Sequence, residues 1–154
     1  MGLFDAIDIS GSGLSAERLR MDVTAENLAN AQTTRGPNGG PYQRKEVVLQ
    51  TAQPNGFATQ LAAATGSVQG MGMGASQAPG GVQAVGIVTD PSAPKQVYDP
   101  GHPDANAQGY VLMPNVNPVT EMVDLIASSR SYEANVTAMQ TAKSLFSKTF
   151  DLLR

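Results

Sequence analysis

"TAENLANAQT", Thr24 to Thr33, places two asparagines three residues apart among Leu and Ala. Asn is an indifferent helix former because its short amide competes for nearby backbone groups, so it gathers at caps and turns. The stretch otherwise reads as helix, and the bonds made by Asn27 and Asn30 decide how that helix is used. One turn apart, the two amides share a helix face, and each can donate and accept at once. At a subunit interface such a pair would fix register at some cost in stability. Neighbouring backbone, or polar residues such as Ser129 and Asn135, would supply the partners. The alternative is that Asn30 simply ends the helix.

Outward from this stretch, Ile7, Leu14, Met21 and Leu28 recur every seven residues. A seven-residue repeat keeps one narrow seam on one side of a helix. The positions between are weaker: Gly11, Arg18 and Ala25. "SGSG" at Ser10 to Gly13 interrupts, since each Gly costs about 1 kcal/mol against Ala in a helix interior. The helix is therefore expected to kink there or to start at Ser12.

The other end of the chain repeats the theme. Leu125, Tyr132, Met139, Phe146 and Leu153 are again seven apart, with Met122, Val136 and Phe150 as a second row. Asn117 as cap and Pro118 at the first helical position mark the start, and no Gly or Pro follows from Val119 onward. At 1.5 Å per residue this helix spans roughly 55 Å.

Between the ends the pattern changes. "KEVVLQT", "GVQAVGIVTD", "KQVYDP" and "GYVLMP" alternate as short strands. Val47 to Thr89 holds no charged residue, and its centre, "GSVQGMGMGASQAPGG", has no period. That composition suits a flexible hairpin tip, or a segment ordered only against a neighbour. The expected fold is mainly α with a small β-rich insert. Long terminal helices form a coiled-coil layer, and a strand- and loop-rich middle projects from it. The divisions are residues 1–34, 35–116 with a Gly-rich part at about 55–81, and 117–154. Together the two ends make one coiled-coil domain.

Composition narrows the function. Aromatics are 5% of 154 residues and Trp is absent, so a deep core is not available. A formal charge of −3 and no basic cluster argue against nucleic acid. The chain has no cysteine and one histidine, His102. Thiol catalysis, thiolate metal sites and triads thus have almost nothing to work with. Asp99, His102 and Asp104 match no strong metal spacing and read as a turn rich in Pro and Gly. No cofactor, metal or catalytic site is expected. The N-terminus lacks the basic and apolar regions of a secretory signal, and no run of about 18 apolar residues spans a membrane. An enzyme is the weakest reading. A small envelope binding module is the stronger competitor, and a pocket in the strand-rich middle would support it.

Some motifs are more specific. "NLANAQTT" at Asn27 to Thr34 and "SRSYEANV" at Ser129 to Val136 resemble the N- and C-terminal motifs of the bacterial flagellar rod and hook proteins. "RGPNGGPYQRKEVVLQ", "YDPGHPDANAQGYVLMPNVNPVTEMVDLI" and "QTAKSL" are similar to the proximal rod type within this flagellar basal-body rod protein family. Pro37 stands where the wider motif has an aromatic, which fits that type rather than hook or distal rod. The Gly-rich stretch carries no resemblance.

The resemblance implies a structural, non-enzymatic subunit of the flagellar rod in the periplasm. It implies export by the flagellar type III apparatus without a cleaved signal. Copies and other rod proteins would stack helically, terminal helices inward around the export channel, to transmit torque. The interface expected on both readings comprises Ile7, Leu14, Met21, Asn27, Leu28 and Asn30 on the first helix. On the second it comprises Leu125, Ser129, Tyr132, Asn135, Val136, Met139, Phe146 and Leu153. Another axial subunit is the nearest alternative.

Overall fold

Capping starts the longer helix where the sequence says it should. Asn117 Oδ1 accepts the Val119 N–H at 3.1 Å, and its carbonyl accepts the Glu121 N–H at 3.0 Å. Helix α2 then runs Pro118–Leu152. Helix α1 runs Leu3–Ala29. The computed structural model describes residues 3–36, 39–52 and 80–152. The central Gly-rich expectation and Leu153 lie outside the described residues.

Helix α1 neither starts at Ser12 nor breaks at "SGSG". The local cost is offset by what the small residues admit. A Cβ on Gly13 would lie 2.9 Å from Asn135 Nδ2, and one on Gly11 would lie 3.8 Å from Met139 Cε. Ser12 Oγ donates to the Ile9 carbonyl at 2.7 Å and accepts the Val82 N–H at 3.0 Å. The glycines let α2 approach, and the serine ties the insert to the helix.

Helices α1 and α2 pack antiparallel. Gly13 meets Asn135 near one end of the pair, and Asn27 bonds Glu121 at the other. The expected stripes do not form the tightest part of this seam. Among the described residues of α2 the buried positions are Glu121, Ser128 and Ala142, with the half-buried Asn135 completing the seven-residue row. Leu125, Tyr132, Met139 and Phe146, four residues further on in each repeat, are half-buried. On α1, Ala16, Val23 and Asn27 are buried, whereas Ile7, Leu14, Met21 and Leu28 are half-buried. Close helix approach favours small side chains at the centre, and larger apolar ones flank them. The Ser128 hydroxyl has no hydrogen-bond partner among the described residues. Its size, rather than its bonding, suits the seam.

Among its described residues the insert holds two antiparallel ribbons. Strand β1, Lys45–Thr51, pairs with β2, Val82–Thr89, through a bulge between Val48 and Leu49. Strand β3, Lys95–Tyr98, pairs with β4, Tyr110–Met113. An isolated two-stranded ribbon is marginal in water, and each finds support. The β1–β2 ribbon packs on α1 rather than projecting free. Gly81 fits there because any Cβ would collide with Ser12. The β3–β4 hairpin is held to the loop after α1, where Thr34 Oγ1 donates to Asp104 Oδ2 at 2.9 Å. Gly109, at φ +80°, closes its turn; a Cβ there would lie 2.9 Å from Tyr98 Cε2. The buried apolar residues are few and small, among them Val111 and Val116.

Candidate assembly site

Asn27 is 1% exposed, and its amide is saturated within the chain. Nδ2 donates to the Lys45 carbonyl at 2.8 Å and to Glu121 Oε2 at 3.1 Å. Oδ1 accepts the Lys45 N–H and the Tyr42 hydroxyl, both at 2.9 Å. The amide thus pairs with both main-chain groups of Lys45, as a neighbouring strand would, at the residue where β1 begins. Ser129 and Asn135 are not its partners. A side chain on α1 fixes where the ribbon starts.

Glu121 carries the same junction to α2. It is 1% exposed, and a buried carboxylate needs a paired charge and hydrogen bonds. Arg44 Nε donates to Glu121 Oε1 at 2.6 Å, and Asn27 holds the other oxygen. The same guanidinium bonds Glu46 and lies 3.8 Å from Asp124 Oδ2. The Glu121 hydrogen bond is the main reason that Arg44 holds its proton even more firmly than a free guanidinium. Burial, with Glu26 and Glu121 nearby, pushes the Tyr42 phenol up to about 12. Lys45 Nζ bonds Glu26 at 2.5 Å and lies 5.8 Å from the Tyr42 ring centroid. Tyr42, Arg44 and Lys45 therefore bridge α1, α2 and β1 within four consecutive residues.

Asn30 behaves differently. Its Nδ2 donates to the Glu26 carbonyl at 2.9 Å and its Oδ1 accepts the Thr33 hydroxyl at 3.1 Å. These are local bonds that close the end of α1, the alternative that its sequence left open. Ser129, Tyr132, Asn135, Val136, Met139 and Phe146 are all half-buried along α2. Among the named positions the structure brings Asn135 and Met139 against α1 at Gly13 and Gly11. Tyr42, Arg44 and Glu121 were not among the residues expected at the interface. Their signal is faint: Arg44 and Lys45 precede an apolar strand, and Glu121 occupies an N-terminal helical turn where an acid is ordinary.

His102 sits in a turn, where its Nδ1 accepts the Asp104 N–H at 3.1 Å. Among the described residues no group of three His, Cys, Asp or Glu could hold a metal ion. No described helix is long and apolar enough to cross a membrane.

Two family models match the chain. Residues 7–37 match the flagella basal body rod protein model. Residues 107–152 match the C-terminal model of the flagellar basal body rod FlgEFG proteins. The chain is 43% identical to the flagellar basal-body rod protein FlgC of Yersinia enterocolitica, over 99% of this chain and 98% of that one. It is 45% identical to the protein of that name from Bacillus subtilis, over 99% of each. To that of Borreliella burgdorferi it is 40% identical, over 100% of this chain and 99% of that one. Full-length similarity at this level shows that the chain belongs to the flagellar basal-body rod protein FlgC family.

Proposed function

We propose that this chain is a structural subunit of the proximal rod of the bacterial flagellar basal body. Copies assemble helically with one another and with other rod proteins in the periplasm. Their terminal helices form a coiled-coil layer around the export channel, and the shaft transmits torque. The subunit is not an enzyme, and it reaches its place through the flagellar export apparatus without a cleaved signal.

The family carries this reading, and one structural observation supports it: two long helices whose large apolar residues are only half-buried by the chain itself. Ile7, Leu14, Met21 and Leu28 on α1, with Leu125, Tyr132, Met139 and Phe146 on α2, keep surface for neighbouring helices. Many modest contacts of this kind add over area, which resists shear. In the sequence Leu153 continues the seven-residue spacing, and on α2 Ser129 and Val136 flank the row. Asn27 and Asn30 serve assembly indirectly, by setting the ribbon start and the helix end. In this division of the chain, 1–34 and 117–154 form the axial unit and 35–116 the insert.

Co-sedimentation tests the reading. An epitope tag placed within the Gly-rich stretch at 55–79 is expected to leave the source bacterium swimming. Tagged chain should then co-purify with detergent-extracted basal bodies. A tag found wholly in the soluble fraction of swimming cells would refute a rod subunit.

A further inference from the structure

Large apolar side chains stay exposed in several places among the described residues, and two of these groups form patches that suit each other. The first lies on the opening turns of α2. Val119, Met122, Val123 and Ile126 follow the i, i+3, i+4, i+7 spacing of one helix face and are 69%, 49%, 59% and 53% exposed. Glu121, Leu125 and Ser128 turn towards α1, so this face points away from it. The second lies on the β1–β2 ribbon. Lys45, Val47 and Leu49 are half-buried, whereas Glu46, Val48 and Gln50 between them are exposed. On that outer face Val88 pairs with Glu46, and Val85 stands at the bulge. Val48, Val85 and Val88 are 42%, 58% and 54% exposed. Clustered apolar exposure of this sort marks interaction surfaces.

Both patches face away from α1, the helix on which both elements pack. Neither can therefore cover the other within one chain. Their borders carry opposite charge. The helix patch runs into the exposed Arg130, one turn beyond Ile126, which has no ion-pair partner among the described residues. The ribbon patch borders Glu46, whose side chain is 61% exposed. The Arg44 guanidinium that Glu46 bonds is also held by the buried Glu121, and the Glu46 carboxylate stays largely open to solvent. Two unlike patches on one molecule make a heterologous contact, which repeats from copy to copy into a ring or an open helix instead of closing as a two-fold dimer.

We propose that the opening turns of α2 on one copy dock on the outer face of the β1–β2 ribbon of a second copy, with Arg130 set against Glu46. This rests on the rod reading and names surfaces that it leaves open. The chain holds no cysteine, so single cysteines report cleanly. Ile126→Cys and Val88→Cys are expressed on separate alleles in one cell and treated with a short bis-maleimide before basal bodies are isolated. A mixed dimer is expected only when both alleles are present. Recovery of both variants in basal bodies without that dimer overturns the pairing and leaves the rod reading intact. Absence of the unmodified chain from basal bodies overturns the rod reading instead. Charge exchange gives the second measurement. Arg130→Glu should lower recovery in basal bodies, and the double variant Arg130→Glu/Glu46→Lys should regain it. A double variant that loses as much as both singles together counts against the pairing.

Discussion

The two ends of the α1–α2 pair are closed by different means. Near Asn27 and Glu121 the helices meet through buried polar groups that reach out to residues 42–45. Near Gly11 and Gly13 they meet by close contact, with Asn135 and Met139 lying on the glycines. A polar junction fixes which residues face each other, because a slipped register leaves donors and acceptors unpaired in a dry site. A glycine contact fixes how near the helices come, and tolerates small slips. The chain thus sets register at one end and distance at the other.

The largest expected effect breaks the polar end. Glu121→Leu leaves Arg44 and the Asn27 amide facing an apolar side chain. Removing one partner of a buried pair costs about 3–5 kcal/mol, a loss that urea unfolding followed by circular dichroism would read. Asn27→Ala should follow at about 3 kcal/mol, since it strands the Lys45 main chain and the Tyr42 hydroxyl at roughly 1–3 kcal/mol for each buried group. Asn30→Ala, by contrast, should cost about 0.5 kcal/mol, since its bonds are local and half-exposed. Equal losses at the two asparagines would show that the junction has no special weight.

At the other end a smaller effect sharpens the contrast. Gly13→Val pushes a branched side chain into Asn135, and overpacking costs about 1–3 kcal/mol. Asn135→Ala in the same chain should return about half of that, because the clash is with a side chain and not with backbone. A double-mutant cycle reads the coupling directly. Simple additivity would mean that the strain lies in α1 itself, and the contact reading would fail.

The same contrast explains what the sequence made legible. Strand positions and the Asn117–Pro118 start are local signals, and the structure follows them. The seven-residue rows were visible too, but hydropathy selects the large residues. The seam centre on α2 is Glu121, Ser128, Asn135 and Ala142, which no apolar count selects. Only a glycine on the facing helix hints at it, and the facing residue cannot be known before the register is. The polar junction was hidden for the same reason. Asn27 and Glu121 are 94 positions apart, and Asn27 and Asn30 look alike in sequence although one is a hub and the other an end.

A subtler effect, read from pH dependence, tests whether the junction is dry. The Tyr42 phenol is held at about 12, above its usual 10.0, first by burial and then by Glu26 and Glu121. A raised value means that the fold favours the neutral hydroxyl. That contribution is fully present below pH 10 and is lost as pH climbs from 10 towards 12. Its loss coincides with loss of the hydroxyl that Asn27 accepts. Stability should therefore fall across that window in the parent chain. Tyr42→Phe should start somewhat lower near pH 8, by about 1 kcal/mol for the missing hydrogen bond, and then fall less steeply above pH 10. Parallel alkaline curves would mean that water reaches the Tyr42 hydroxyl, and the register argument would then rest on Glu121 and Arg44 alone.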